Sequence, residues 1–404
     1  MDIVRDPLWN NIRLDPLALA LIDTGAMQRL RYVRQLGLAH LVYPGATHTR
    51  FEHALGTYHL SRLTLAILQD RGDLRPLPVE EPFIVQAAAL LHDIGHYPFA
   101  HALEEIGAPH HEEVGRTLIM DGEVAHLLST RVASDAPARV AALIRGQSDS
   151  ALQGLISGSL DLDKIEYLKR DALMCGVPYG EIDVDRLINS LAIVTTDGRA
   201  VVGVSEKGLS ALESLLFAKY QMYRNVYWHH AVRSATAMYK RAVGDALANG
   251  CIEVRRLPDF TDEQLLQHLS EVAPSALVAR LRTRRLYKRA FECPAAELPL
   301  DAGEWIASDP MRAQQAERAL AGELGLAPDE LLLDYPEKTQ MLDLDLPVQL
   351  RSGAVTHLTS EGLPGVIHLP ELSAQLYRSA RWLRIFTARP VTVSRERVLG
   401  LLSE

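Results

Sequence analysis

Cysteine is scarce in this chain. Cys175, Cys251 and Cys293 are the whole complement in 404 residues, scattered and without a C-x-x-C pair. That excludes a disulfide framework and a zinc–thiolate site, and it reads as a reduced, cytosolic protein. Long apolar runs are missing too. The longest, around Ile84–Leu91, is interrupted by Gln86 and falls far short of the ~20 residues a membrane helix needs. The opening Met1-Asp-Ile-Val-Arg-Asp-Pro7 lacks the charged-then-apolar layout of a secretory leader, so none is expected there. Positive charge is not in excess either: 42 Lys and Arg against 51 Asp and Glu leave −9 with His neutral. Such a balance is poor for coating nucleic acid or a membrane surface. There is no internal repeat and no low-complexity tract. With 48% hydrophobic and 23% charged residues, the chain is globular rather than disordered or fibrous, and long enough for more than one domain.

What is present is mostly helical periodicity. Leu17, Leu19, Ala20 and Leu21, then Met27, Leu30, Val33 and Leu36, form one pattern that Gly37 is expected to close. Phe51–Leu68 forms a second, and Phe83–Leu91 a third that is apolar nearly all round and therefore central. Pro98 is expected to mark the end of that helix or a bend after it. Leu160–Leu173 and Leu209–Leu247 extend the pattern. Ala200-Val-Val-Gly-Val204 with Asp197-Gly198 reads as a β-hairpin, in the region 193–204. Beyond residue 290 the prolines accumulate and short β-like runs appear at Leu331–Asp334, Val348–Leu350 and Val391–Val393, with a helical stretch through Leu372–Leu383. The expected architecture is mainly α: a helical core over residues 1–290 and a smaller α+β domain over 291–404.

The fifteen histidines are the compositional oddity. Arg50-Phe-Glu-His53, His92-Asp-Ile-Gly-His96, His101 and Asp161-Leu-Asp-Lys-Ile-Glu-Tyr167 stand out. A His-Asp pair ending an apolar helix is costly to bury unless it is paired or holds a metal. Imidazole nitrogen with carboxylate oxygen suits borderline divalent ions such as Mn, Fe, Co, Ni or Zn. His53, His92, Asp93 and one aspartate, 161 or 163, make four ligands and leave positions for water and substrate. Taken singly, a His-Asp dipeptide also occurs by chance, and helix-end packing is the alternative for His96 and His101.

The ordered stretches Ile22-Asp-Thr24, Gln28-Arg-Leu-Arg-Tyr32, Gln35-Leu-Gly37, Tyr43-Pro-Gly-Ala46, Arg50-Phe-Glu-His-Ala-Leu-Gly56, His92-Asp-Ile-Gly-His-Tyr-Pro-Phe-Ala-His101, His111-Glu112, Asp161-Leu-Asp-Lys164 and Arg224-x-x-Tyr227-x-His229 resemble the HD-domain phosphohydrolases. They are most similar to the deoxynucleoside triphosphate triphosphohydrolase branch. The resemblance covers about residues 1–290 and fades beyond.

It implies an HD-domain helical bundle with His53, His92, Asp93 and Asp163 as metal ligands. Asp161 is the runner-up ligand, or else the cap of its helix. The metal is a divalent ion (Mn, Fe, Co, Ni, Zn or Mg), and a further Mg arrives with the triphosphate. His101 becomes the acid that protonates the leaving 5′-oxygen, with His96, His111 and Glu112 around it. Arg50, Lys164 and Lys219 are the cations facing phosphate; Lys219 stands where the eukaryotic member has Arg. Tyr167 packs under the sugar, Asp171 and Gln35 contact the 3′-hydroxyl, and Tyr227 joins them. Effector nucleotide is implied at Asp23, Gln28, Arg31, Arg284 and Lys288, between subunits of a dimer or tetramer. Against that, Asp2 stands where the regulated enzyme has Lys, and the basic run 280–289 also reads as a solvated helix face.

The activity implied is hydrolysis of dNTPs to deoxynucleoside and inorganic triphosphate. The same metal site would serve a nucleotidase, a phosphodiesterase or a single-strand exonuclease. A nucleotide-sensing or nucleic-acid-binding module with a retired site is a third reading. No membrane partner is expected, and nucleic acid is not favoured.

Overall fold

Helix boundaries here follow from capping chemistry. Thr49 and Glu52 form a reciprocal capping box that starts the helix Arg50–Arg71, and Gly72 in the left-handed region stops it. Asp161 accepts from the Lys164 amide and starts Leu162–Cys175, which Gly176 ends in the same way. The computed structural model describes residues 2–337, 346–358 and 369–403. Arg50–Arg71, Glu81–Leu91, Ala136–Ile144 and Leu162–Cys175 enclose a large apolar core through Leu60, Ile84, Ala88, Leu91, Val140 and Ile165. Glu81–Leu91 is buried along almost its whole length, as its apolar composition requires.

The long pattern 209–247 is two helices, Leu209–Met222 and His230–Ala248, joined by a π-turn at Tyr223–Tyr227. Ridge periodicity cannot show such a break, because the extra residue of a π-turn leaves the apolar spacing on either side intact. The 17–36 pattern also divides, into Pro16–Ile22, Gly25–Arg29 and the 3-10 turn Leu30–Tyr32. Gly37 does not close a helix; it opens another 3-10 turn, Gly37–Leu41.

The hairpin forms as its turn residues dictate. Leu191–Thr196 pairs antiparallel with Arg199–Ser205, and Asp197 and Gly198 both take positive φ. A second hairpin, Asp2–Asp6 with Asn10–Leu14, has no counterpart in the sequence reading. Its turn is held by Asp6, which accepts from the amides of Leu8 and Trp9.

The C-terminal part is a smaller α+β assembly. Lys288–Pro294 and Leu331–Asp334 flank Trp382–Thr387 in an antiparallel sheet, packed against Pro310–Glu323 and Arg395–Ser403. Leu346–Gln349 crosses back to pair parallel with Arg199–Ser205, so Leu346 and Val348 belong to the large helical core. Two expectations need correcting. Val391–Val393 forms no strand; Val393 packs into the smaller core as irregular chain. The 372–383 stretch is a helix Leu369–Ala380 that gives way to the strand Trp382–Thr387. No helix among the described residues is long and apolar enough to cross a membrane.

Candidate metal centre and active site

Three helices deliver the side chains expected to hold a metal ion. His53 comes from the first turn of Arg50–Arg71, His92 and Asp93 from just past the end of Glu81–Leu91, and Asp163 from the first turn of Leu162–Cys175. The His53 Nε2 lies 3.1 Å from His92 Nε2, 2.9 Å from Asp163 Oδ1 and 3.9 Å from Asp93 Oδ2. His92 Nε2 is 3.5 Å from Asp163 Oδ1 and 3.6 Å from Asp93 Oδ2. Asp161 is not among them. Its carboxylate caps the helix and binds the Lys164 ammonium.

The donor set fits a cation for a reason internal to the structure. His53 Nδ1 donates to Glu166 Oε2 at 2.6 Å and His92 Nδ1 to the carbonyl of Ala89 at 3.0 Å. Both partners only accept, so in the neutral rings each Nε2 presents a lone pair, and the two lone pairs face one another. A proton or a metal ion must lie between them. In the metal-free protein burial opposes charge on His53, yet Asp163 and Glu166 outweigh it and raise its pKa to about 10. His92 is raised as well, burial being overcome by Asp93 and Asp163. Asp93 and Asp163 are both held below the ordinary carboxylate range: burial opposes this, but Arg50 and the imidazoles prevail at Asp93, and His53 and His92 at Asp163.

Supporting residues to which the sequence reading gave no role now appear. Glu166 accepts from His53, from Trp9 Nε1 at 2.9 Å and from Arg170 Nε at 2.7 Å. Arg170 in turn reaches Asp6 at 3.0 Å, so the N-terminal hairpin braces the Glu166 carboxylate that holds His53. Gly56 is required there, because a Cβ would stand 1.9 Å from Glu166 Oε1. Such outer partners fix ring tautomer and orientation.

A second histidine cluster adjoins the first. His96, fully buried, stacks on His111 at 4.3 Å and meets His101 edge-on at 4.6 Å. Gly95 permits this, since a Cβ there would lie 2.2 Å from the Gly115 amide nitrogen and 2.3 Å from the His111 carbonyl. Glu104 bridges the group: Oε1 is 2.7 Å from His111 Nδ1 and Oε2 is 3.1 Å from His101 Nδ1. Glu112 lies 3.8 Å from His110 instead, so the carboxylate joining His101 to His111 is Glu104. Neither ring nitrogen of His96 has a hydrogen-bond partner among the described residues. Burial, then Arg50 and the neighbouring imidazoles, push its pKa well down. His111 is lowered too, by burial, and its Nε2 stands 3.8 Å from Asp93 Oδ1.

Of the cations expected to face phosphate, Arg50 is buried and donates to Asp93 at 2.5 Å and to the Gln35 carbonyl at 3.4 Å. Lys164 is engaged by Asp161 and the Gly158 carbonyl. Lys219 is buried, its pKa lowered to about 8 by desolvation and by Lys164.

The expected sugar residues assemble. Tyr167 stands edge-on to His53 at 6.4 Å, and Tyr227, on the π-turn, donates to Asp171 at 2.7 Å. His48, absent from the sequence reading, joins the rest: its ring is 2.8 Å from Asp171 and its carbonyl accepts from the Gln35 amide. Gln35 Oε1 is buried and has no partner among the described residues.

The five effector positions fall on two segments. Gln28 accepts from Arg31 at 2.9 Å, Arg31 lies over the Phe51 ring, and Asp23 is exposed nearby in the chain. Arg284, with positive φ, donates to the Leu41 carbonyl, and Lys288 opens an exposed strand end.

A helical bundle that gathers two imidazoles and two carboxylates from three helix ends defines a class of divalent-metal-binding domain. The HD domain family model matches residues 50–168 and the HD associated region model residues 182–363; the chain belongs to the HD-domain superfamily. An uncharacterized protein of Methanocaldococcus jannaschii is 37% identical over 290 residues, 71% of this chain and 59% of that protein. One of Bacillus subtilis is 35% identical over 236 residues, 58% and 53% of the respective chains. The chain thus spans between 53% and 59% of the length of these two relatives. The deoxynucleoside triphosphate triphosphohydrolase of Homo sapiens is 26% identical over 269 residues, 57% of this chain and 42% of that one. Among solved structures, a hypothetical protein from Aquifex aeolicus aligns with TM-score 0.76 and 28% identity over 99% of both chains. A phosphohydrolase from Bacteroides thetaiotaomicron shares the fold, with TM-score 0.75 and 23% identity over 96% of this chain and 100% of that one.

Proposed function

We propose that this protein is a divalent-metal-dependent phosphohydrolase acting on dNTPs, releasing deoxynucleoside and inorganic triphosphate. The observation that carries the proposal is the juxtaposition of the two clusters. His53, His92 and Asp93 form a group that could hold a cation, with Asp163 2.9 Å from His53, and it stands beside a fully buried, uncharged His96 whose ring nitrogens have no partner among the described residues. An N–H held without an acceptor is ready for an anionic oxygen. The pairing of a cation site with an anion site is what a phosphate ester requires.

His53, His92, Asp93 and Asp163 would hold the ion, which when bound lowers the pKa of its water toward roughly 7 and so supplies hydroxide at neutral pH. His96 and His111 donate to phosphate oxygens. His101, exposed and oriented by Glu104, delivers a proton to the leaving 5′-oxygen as a general acid. Asp171, Gln35, Tyr227 and Tyr167 hold the sugar, and a ring packed at C2′ excludes ribose. Lys164 and Lys219 offset triphosphate charge together with an accompanying Mg. The deoxynucleoside triphosphate triphosphohydrolases among the relatives favour this substrate over other phosphoesters. Assembly as a dimer or tetramer, effector nucleotide at Arg31 and Arg284, and a cytoplasmic location belong to the same reading.

The test is product analysis. Metal-loaded protein is incubated with each dNTP, each NTP and a short oligonucleotide. Triphosphate from dNTPs alone supports the proposal; pyrophosphate or mononucleotides point to a nucleotidase, phosphodiesterase or exonuclease, and no turnover points to a sensing module.

A further inference from the structure

The loop that carries His101 is built against its own preferences. Phe99 and Ala100 are consecutive non-glycine residues at φ 59° and 63°, a left-handed conformation that brings Cβ of an L-residue too close to the following carbonyl oxygen. Such strain persists only where neighbours over-determine the backbone, and it gathers at functional sites. Here the neighbours are identifiable. The Phe99 amide donates to Asp262 Oδ1 at 2.9 Å. Tyr239 donates to the Pro98 carbonyl at 3.2 Å. Arg29 donates to the His96 carbonyl at 2.6 Å and to the Phe260 carbonyl at 3.0 Å, tying the His-Asp turn to the chain just before Asp262.

Asp262 is only 1% exposed. It opens the helix Asp262–Val272, but it does not cap it; Thr261 and Gln264 form the capping box. Its carboxylate is free to point away from its own helix, and its second oxygen accepts from the Arg34 amide at 3.1 Å and the Arg34 guanidinium at 3.3 Å. Arg34 precedes Gln35 and bridges to Thr49, the residue before Arg50. One buried carboxylate therefore joins the loop bearing His101 to the segment bearing Gln35. Burial pushes its pKa up to about 6, which leaves it ionised, and an acceptor only, at neutral pH.

We propose that Asp262 is a positioning residue: it holds Phe99 and Ala100 in their strained conformation and thereby presents His101 to the leaving-group side of the metal centre. The role assigned to His101 rests on the function proposed above; the structural part of the inference does not. Asp262 touches neither ligand nor metal, so its removal should leave the cation site intact.

The experiment uses the metal-loaded full chain with Asp262→Ala and Asp262→Asn. Three quantities are measured: amide hydrogen exchange by segment, metal content, and kcat and KM on a dNTP. In Asp262→Ala, exchange at 97–101 should rise about tenfold while the helix Arg50–Arg71 keeps its protection. Metal content should stay at the wild-type value. The kcat should fall about 10- to 100-fold with KM moved no more than about threefold, as misplacement of a catalytic group predicts. Asp262→Asn keeps one acceptor oxygen and should lie between the two. If Asp262→Ala loosens the whole chain, the Asn variant decides, since it retains shape and one hydrogen bond. Unchanged exchange at 97–101 in a folded variant overturns the proposal, as does a loss of metal equal to the loss of rate. Should the wild type hydrolyse no dNTP, the proposed function fails, and the exchange measurement still decides whether Asp262 holds the loop.

Discussion

Two histidine clusters adjoin, His111 Nε2 standing 3.8 Å from Asp93 Oδ1, and the protein treats them oppositely. Around His53 and His92 the carboxylates of Asp93, Asp163 and Glu166 win over burial, and both imidazoles are raised. Around His96 and His111 burial wins, with Arg50 adding to it at His96, and both are lowered. The residue type is the same; the count of nearby carboxylates differs. The lesson is that histidine does not mark a metal site by itself. Nearby carboxylates, with both Nδ1 atoms occupied, raise one pair of imidazoles, while burial lowers the other pair, of which His96 has no ring-nitrogen partner among the described residues.

The largest expected effect comes from removing the His-Asp pair of the first cluster. His92→Ala combined with Asp93→Ala should take metal content, measured by elemental analysis, from about one ion per chain to background, and abolish turnover. Retention of metal in that variant would dissolve the contrast between the clusters. In the second cluster, His101→Ala should keep its metal and lose about 10²- to 10⁴-fold in kcat, as loss of a general acid predicts. Equal losses of metal in the two variants would show that the clusters act as one.

A smaller effect sharpens the outer layer of the contrast. Glu166→Gln should weaken metal affinity about 10- to 100-fold in a chelator competition, because an amide can present its N–H to His53 Nδ1 and favour the wrong tautomer. No change in affinity would reduce the Trp9–Glu166–Arg170 chain to packing. The smallest effect is on stability against pH. His53 in the metal-free fold titrates at about 10, against ~6.5 unfolded. A raised imidazole contributes stability that is complete below ~6.5 and lost as pH climbs through the folded value. The metal-free protein should therefore lose Tm between about pH 6.5 and 10, whereas a bound ion, which needs neutral imidazole, should widen its Tm advantage over the same range. A parallel pair of Tm curves would contradict the charge assignment at His53.

Much of this was legible residue by residue. The spacing in Arg50-Phe-Glu-His53 places Arg50 and His53 one turn apart, and Asp163, Tyr167 and Asp171 share a helix face because they are four apart. Asp197-Gly198 announced its hairpin. What escaped were single acidic or basic side chains whose partners are far away in sequence. Glu166 meets His53, Asp262 meets Phe99, and His48 meets Asp171; none carries a local pattern. Glu104 lies three residues past His101 and could have been noticed by that spacing, yet Glu112 beside His111 offered an equally good local signal.

The choice between Asp161 and Asp163 shows where the division falls. The residues alone left either as ligand, and the resemblance preferred Asp163, with Asp161 as runner-up or helix cap. The folded chain decided it: the cap must stand just outside the first turn, where its oxygen meets the Lys164 amide. Two residues further on, the side chain points from the first turn toward His53. Helix periods, turn residues and the order of motifs are local properties, set by backbone sterics and neighbours along the chain. Which imidazole is charged, which arginine is consumed by a carboxylate and which loop is held under strain depend on desolvation and on partners brought from elsewhere. Those quantities exist only once the helices have packed.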